Sequence, residues 1–197
     1  MSKRRYFDKL ATGWDKIYHQ DSLLSIKELI ERFEIKKGSM VLDVGSGTGI
    51  LLPYLLKKVG GKGEVLALDL SLTMIKKARS KDENKKVNFI NADAEAIPFK
   101  KDLFDYVICF ACFPHIFDKR KALIEMSRVL KKGGRLCVAH LLSSEEVKIH
   151  HRQFAGEVSK DTLPQEKTMQ RWMIKADLKE IRIIDKPSLY LAAGVKR

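Results

Sequence analysis

Apolar residues recur at spacings of three and four along the first 33 positions, a pattern that predicts amphipathic helices. One helix is expected over Lys3–Ile17 and a second over Ser22–Phe33. From position 40 onward, short continuous apolar runs alternate with further helical segments. Strands are predicted at the apolar runs bounded by turn residues: 40–44, 64–70, 87–90, 106–110 and 135–141. Helices are predicted between them: 50–58, 73–80 and 120–130.

Strands that are apolar on both faces and are followed by helices predict a mostly parallel sheet with helices on both faces. After position 142, a helix around Thr168–Lys179 precedes two apolar runs, 181–184 and 188–193, which are expected to form an antiparallel pair at the sheet edge. The predicted fold is therefore α/β and doubly wound, with seven strands. Sheets of this kind bind ligands at the carboxyl ends of their strands, where the strand order reverses.

Length and charge narrow the class of protein. The 197 residues suit one domain, and charges interspersed with periodic apolar residues argue against disorder. No apolar stretch approaches the ~18 residues of a membrane span, the basic start lacks an apolar signal core, and three cysteines cannot all pair. A cytoplasmic protein without a membrane partner is expected. The net charge of +13 is spread over lysine pairs, mostly at helix ends and in turns, so a solvated surface is favoured over an RNA-binding face.

A glycine stands at every second position after the first strand, in the segment Asp43-Val44-Gly45-Ser46-Gly47-Thr48-Gly49. Glycine permits positive φ and lets a ligand approach the backbone, and the helix that follows presents unpaired N–H groups. Because Ile50 follows Gly49, the segment lacks both the Lys-Ser/Thr of a phosphate-binding loop and the third glycine of the dinucleotide fingerprint. The carboxylate of Asp43 suits a cationic ligand, such as a sulfonium or ammonium group, better than a pyrophosphate.

This segment resembles the glycine motif of the class I S-adenosylmethionine-dependent methyltransferases, and the resemblance extends over roughly residues 40–142, similar to a methyltransferase-11-like domain of small-molecule type. Asp69 at the end of the second strand looks like the family's ribose-binding acid, and Asp93-Ala94 looks like its adenine-binding turn. The resemblance implies a Rossmann-like fold with S-adenosylmethionine as cofactor. The residues it assigns to cofactor binding are Tyr18, Asp43, Gly45, Ser46, Gly47, Thr48, Gly49, Asp69, Leu70, Met74, Asp93, Ala94 and Phe110.

Methyl transfer from a sulfonium is an in-line displacement that depends mainly on proximity and orientation. A proton acceptor is needed only for a hydroxyl or protonated amine, and a neutral histidine suits that role. In the resembled fold, the loop that carries His115 faces the methyl group. The candidate catalytic residues are His115, His150 and His151. No metal site is expected, because Cys109 and Cys112 are three apart in a strand and point to opposite faces.

The capping-box pattern Ser143-x-x-Glu146 predicts a helix directly after the fifth strand, followed by a mobile loop at 155–165. Within one domain, 1–197, we expect N-terminal helices at 1–36, a cofactor-binding core at 37–142, an acceptor-side insertion at 143–165, and a C-terminal helix and strand pair at 166–197. The insertion, His115 and the N-terminal helix are expected to form a lid and the acceptor pocket.

The expected function is S-adenosylmethionine-dependent methyl transfer to an unidentified small-molecule acceptor. Two alternatives stay open: an RNA or protein methyltransferase that uses the basic surface, and a non-catalytic cofactor-binding module.

Overall fold

The computed structural model describes residues 2–17, 20–154 and 156–197, so Tyr18 lies outside the described residues. In this part of the chain seven strands form one sheet, in the order β3-β2-β1-β4-β5-β7-β6. The strands are β1 (Met40–Val44), β2 (Glu64–Asp69), β3 (Asn88–Asn91), β4 (Phe104–Phe110), β5 (Leu130–His140), β6 (Leu178–Lys186) and β7 (Leu189–Lys196). The α-helices are α1 (Lys3–Leu10), α2 (Gln20–Glu31), α3 (Leu52–Val59), α4 (Leu72–Arg79), α5 (Lys119–Val129), α6 (Ser144–Arg152) and α7 (Glu166–Lys175).

The sheet has the predicted mixed topology. Strands β1 to β5 run parallel to one another, whereas β7 pairs antiparallel with both β5 and β6. The strand order reverses beside β1, which lies between β2 and β4. The mostly parallel sheet with an antiparallel C-terminal edge pair is thus confirmed, and the reversal directs attention to the carboxyl ends of β1 and β4.

Two apolar layers cover the sheet because successive strand residues point to opposite faces. Leu42 and Val107 belong to the layer that includes α5 and α7, represented by Met126 and Met173. On the other face, the core includes buried residues from β1, β4, α2 and α3: Val41, Ile108, Ile30 and Leu55. Burial on both faces explains why these strands are continuous apolar runs.

The N-terminal helix is shorter than the sequence predicts. It ends at Leu10, and Trp14–Ile17 forms a separate 3-10 turn. The N–H of Gly13 donates to the carbonyl of Leu10 at 3.1 Å, three residues back, so the α-helical bonding pattern stops there. Glycine weakens a helix by ~1 kcal/mol relative to alanine, and a periodic apolar stripe does not reveal such a break.

The boundaries of one other helix and of one strand also differ from the predictions. The helix predicted around Thr168–Lys179 ends at Lys175, because Asp177 takes a left-handed φ of 63° and Leu178 begins β6. Strand β5 begins at Leu130 rather than at Arg135, directly after α5.

The segment after β5 contains the predicted helix, and part of the loop that follows it is buried. The Ser143 hydroxyl accepts from the N–H of Glu146 at 3.2 Å, and the Glu146 carboxylate accepts from the N–H of Ser143 at 2.8 Å, so the capping box is confirmed. In the loop that is predicted to be mobile, Val158, Asp161 and Leu163 are 2%, 5% and 5% exposed, so this part of the loop packs against the rest of the fold. Val158 lies in a 3-10 turn at Glu157–Lys160, and the other two residues come just after that turn.

Among the helices of the described residues, none has both the length and the apolar character needed to cross a bilayer.

Candidate active site

A cavity of about 380 Å³ lies at the carboxyl ends of β1, β2 and β4, with residues of the N-terminal segment forming part of its wall. Its volume falls within the ~300–1,000 Å³ of typical small-molecule sites. Most of the residues that the sequence assigns to the cofactor line it: Asp43, Gly45, Ser46, Gly47, Asp69, Leu70, Met74, Asp93, Ala94 and Phe110. These residues lie at or after the ends of different strands in the sequence, and the parallel sheet brings them together around one cavity.

Two other residues of the glycine segment do not line the cavity. Thr48 is buried, and its hydroxyl donates to the Asp15 carboxylate at 2.5 Å. Gly49 has a φ of +85°, and a Cβ there would lie 2.8 Å from both Asn84 Nδ2 and Leu52 Cδ1. Both residues hold the loop against its neighbours rather than facing a ligand.

The glycine loop is held by backbone contacts to β2. The N–H groups of Gly45 and Ser46 donate to the carbonyl of Leu68 at 2.7 and 3.0 Å. Gly45 takes a φ of +72°, and a Cβ at this position would lie 2.1 Å from Cys112 Sγ. Glycine is required here because the loop packs directly against the chain that leaves β4.

Asp69 supports the loop from the end of β2. One carboxylate oxygen accepts from the N–H of Gly47 and the other from the N–H of Ser71, both at 2.8 Å. Burial raises the pKa of Asp69 above its ordinary value, although the two N–H donors oppose that shift. Each carboxylate oxygen has two lone pairs, so Asp69 can hold the loop and still accept hydrogen bonds from a ribose.

Asp43 is the most unusual group of the cavity wall. It is 1% exposed, and its Oδ2 has no hydrogen-bond partner among the described residues. Burial, with a smaller contribution from the nearby Asp69 carboxylate, raises the pKa of Asp43 to about 8. The hydroxyl of Ser46 is likewise buried with no partner in the described part of the chain. Such atoms are rare in folded proteins, and here they border a cavity, which fits a polar, cationic ligand.

Aromatic side chains form another part of the wall. Phe7 and Trp14 of the N-terminal segment line the cavity, with ring centroids 5.7 Å apart, as does Phe110 at the end of β4. Aromatic faces attract cations and stack on planar rings. Phe113, three residues beyond Phe110 along the chain, is by contrast fully buried core.

The candidate histidines have different environments. His115 lines the cavity, and its Nδ1 lies 2.7 Å from Asp161 Oδ2. His151 is buried behind it, with its Nδ1 2.8 Å from the carbonyl oxygen of Asp161. His150 is exposed, contacts Phe154, and is not part of the cavity wall. Only His115 among these three meets the cavity.

Sequence reasoning missed Asp161 and Lys3. The ammonium of Lys3, which lines the cavity, pairs with the Asp161 carboxylate that contacts His115. Nothing local marks either residue, because Asp161 stands in a polar segment and Lys3 in a basic one. Their roles depend on distant parts of the chain meeting at the cavity.

The described residues contain no group of three or more His, Cys, Asp and Glu side chains that could hold a metal ion. The cavity instead has the donors and acceptors for the implied cofactor. Asp43 and the aromatic wall suit its cationic groups, Asp69 its ribose, and the turn at Asp93 and Ala94 its adenine.

Comparisons with known proteins agree with this geometry. Residues 42–138 match the family described as a methyltransferase domain. The chain is 41% identical over 113 residues to the ubiquinone/menaquinone biosynthesis C-methyltransferase UbiE of Pectobacterium atrosepticum, a match that covers 55% of this chain and 45% of that protein. It is 40% identical over 134 residues to an uncharacterized protein of Methanocaldococcus jannaschii, covering 68% of this chain and 49% of that protein. The chain thus spans about half the length of these curated relatives.

The fold itself is shared over nearly the whole chain. A crystal structure of a SAM-dependent methyltransferase from Aquifex aeolicus superposes with a TM-score of 0.77 at 23% identity, covering 95% of this chain and 98% of that one.

Proposed function

Since this chain belongs to the class I S-adenosylmethionine-dependent methyltransferases, we propose that it transfers a methyl group from this cofactor to a small-molecule acceptor. The observation that carries the proposal is a single cavity lined by Asp43, whose Oδ2 has no hydrogen-bond partner among the described residues, by Asp69 and by aromatic side chains. When bound, S-adenosylmethionine supplies a methyl group on a sulfonium, which is already an excellent leaving group.

The protein would contribute mainly by positioning. Holding the acceptor atom in line with the methyl carbon replaces a bimolecular encounter and can lower the barrier by ~7–11 kcal/mol. Asp43 and Asp69 would fix the two ends of the cofactor that flank the methyl group. Phe7 and Trp14 would cover the cavity and exclude water from it.

The walls near the mouth support a small, largely apolar acceptor. Ile116 and Phe117 line the cavity after His115, and Phe117 is 91% exposed. An exposed phenylalanine at a cavity mouth is suited to contact an apolar ligand. The similarity to UbiE-type enzymes, whose name refers to quinone biosynthesis, makes a quinol the first acceptor to test.

The test is methyl transfer from labelled S-adenosylmethionine to a panel of a short-tailed demethylmenaquinol, simple phenols, primary amines and bulk tRNA. We expect label in a small acceptor, and loss of transfer in Asp69→Ala. Asp105→Asn is the matched control, because Asp105 accepts from the N–H of Met40 at the opposite end of β1.

Label found only in tRNA, with binding that weakens steeply as salt rises, would replace this proposal with an RNA methyltransferase. Cofactor binding without transfer to any acceptor would favour a non-catalytic module.

A further inference from the structure

Four side chains from separate parts of the fold form a cluster, here called the His115 cluster: Lys3, His115, His151 and Asp161. Asp161 lies at its centre and is 5% exposed. Its two carboxylate oxygens contact Lys3 and His115, and its carbonyl oxygen contacts His151. His115 and Lys3 line the cavity, so the cluster forms part of the cavity wall.

The ring of His115 is fixed on three sides. Its Nδ1 is 2.7 Å from Asp161, its ring centroid is 4.9 Å from that of Phe7 in an edge-on contact, and it is 4.9 Å from that of His151. Such packing defines a single ring orientation, which a proton acceptor requires.

The charges favour a neutral imidazole beside an ionised carboxylate. Burial lowers the pKa of His115 below its ordinary value, against the opposing effect of Asp161. Burial alone would raise the pKa of Asp161, but the hydrogen bonds from His115 and Lys3 hold that pKa below its usual range. At neutral pH the carboxylate therefore accepts a hydrogen bond from Nδ1–H, and the lone pair of His115 is on Nε2.

We infer that His115 is the proton acceptor of the methyl-transfer step and that Asp161 is its positioning residue, held in turn by Lys3. This inference rests on the proposed function. The nucleophilic atom of the acceptor bonds to the methyl carbon while the carbon–sulfur bond breaks and leaves its electron pair on sulfur. The proton of the acceptor passes to Nε2 of His115, and the Asp161 carboxylate stabilises the imidazolium that results.

The inference restricts the class of acceptor. It requires an O–H, N–H or acidic C–H proton at or next to the methylated atom, as in a phenol, an ammonium or a quinol. A thioether or tertiary amine has no such proton and makes no use of the cluster.

Other charged groups near His115 raise or lower the pKa of its ring. The positive charges of Lys3 on α1 and of a protonated His151 on α6 disfavour protonation of His115, whereas the Asp161 carboxylate favours it. His140, at the end of β5, also interacts electrostatically with His115, and the charge of either ring disfavours protonation of the other. Lys119 at the start of α5 also interacts with Asp161. Removing Asp161 and removing Lys3 should therefore shift the pKa of His115 in opposite directions.

The first measurement is an NMR titration of the histidine rings in the full chain without acceptor, with His115 assigned from the His115→Gln spectrum. We expect the Nδ1–H form at pH 7.5. In Asp161→Asn the pKa of His115 should fall and the Nε2–H form should appear, whereas in Lys3→Gln the pKa should rise. Lys9→Gln, an exposed lysine on the same helix, should change neither. An Nε2–H ring in the unchanged protein, or shifts of the same sign in both variants, would overturn the assignment.

The second measurement is turnover of the acceptor found by the labelling experiment. His115→Gln should lower kcat by about a hundredfold or more, the usual range for loss of a general base. Asp161→Asn should lower kcat at least about tenfold and leave the KM for the cofactor unchanged. The acid limb of its pH profile should move to lower pH, because the pKa of His115 falls. Asp161→Glu should restore part of the rate. Equal kcat and pH profile in Asp161→Asn and the unchanged protein would refute the role.

The two proposals fail in different ways. If no acceptor is methylated although the cofactor binds, the proposed function fails, and the assignment of a base fails with it. If acceptors are methylated but the titration or the variants give the contrary results, only the inference about His115 and Asp161 fails.

Discussion

Asp43 is the residue at which folding and ligand binding conflict. Its carboxyl is buried with an unpartnered oxygen, which is costly for the ligand-free protein. Asp43 also lines the cavity, where a cationic ligand would interact with the ionised form of its carboxyl. A carboxyl that destabilises the fold but faces a ligand site is typical of a functional group rather than a structural one.

The first prediction concerns the pH dependence that Asp43 causes. Its pKa is raised from 3.8 to about 8, so between these values the unfolded chain has lost a proton that the folded chain retains. Stability therefore falls as pH rises through this window, by up to ~1.4 kcal/mol per pH unit, and Asp43→Asn should remove that slope. The free energy of unfolding of both proteins can be measured with urea at pH 5, 6, 7 and 8. The difference in favour of the variant should increase with each step in pH.

The control for this measurement is Asp93→Asn, an exposed carboxylate on the same cavity, which should leave the slope as it is. Taking the difference between variant and unchanged protein cancels the contribution of the buried histidines. Parallel stability curves for Asp43→Asn would show that Asp43 is ionised in the folded chain.

At the scale of elements, pairs of polar side chains attach the N-terminal segment, made of α1 and the 3-10 turn, to the core. Ser71 donates to Asp8 at 2.6 Å, Thr48 donates to Asp15 at 2.5 Å, and Lys3 pairs with Asp161. No side chain of α1 is buried, so polar contacts rather than buried apolar ones hold this helix in place. The segment is thus positioned over the cavity without being strongly bound to it, as a cover that opens requires.

The second prediction is that ligand binding slows hydrogen exchange in this segment. Because Phe7 and Trp14 line the cavity, S-adenosylhomocysteine should protect the amides of α1 and of Trp14–Ile17 together with those of the glycine loop. Exchange measured by mass spectrometry with and without the ligand tests this. Protection confined to Gly45–Gly49, Asp69 and Asp93 would show that the segment does not cover the ligand.

The elements also show which features of the site follow from the sequence. The glycine loop, the acid at the end of β2 and the capping box of α6 were predictable, since each signal lies within a few consecutive residues. The pairing of His115 with Asp161 spans 46 positions, and that of Lys3 with Asp161 spans 158. No local pattern encodes such contacts, and they arise only when α1 and the segment after α6 pack against the same cavity.

At the scale of the whole molecule, the basic charge is distributed over ion pairs that join distant elements. Lys196 pairs with Asp102 at 2.8 Å, Lys131 with Asp105 at 2.8 Å, and Arg135 with Glu34 at 3.0 Å. These pairs lie at the surface and are screened by salt, so the stability of the fold rests on the two apolar layers. A ligand that adds contacts at the carboxyl edge of the sheet should therefore be detectable as a rise in the stability of the whole fold.

The last prediction is that S-adenosylmethionine and S-adenosylhomocysteine raise the melting temperature, whereas NADH does not. A ligand at a hundredfold excess over its Kd stabilises the fold by ~2.7 kcal/mol, which corresponds to roughly 5–11 °C for a chain of this size. Asp69→Ala should lose most of this shift, because hydrogen bonds to a charged acceptor contribute ~1.5–3 kcal/mol each. Its ligand-free melting temperature should also fall, since the N–H groups of Gly47 and Ser71 lose their acceptor. Differential scanning calorimetry measures both effects, with Asp105→Asn as control, and a larger shift with NADH would contradict the cofactor assignment.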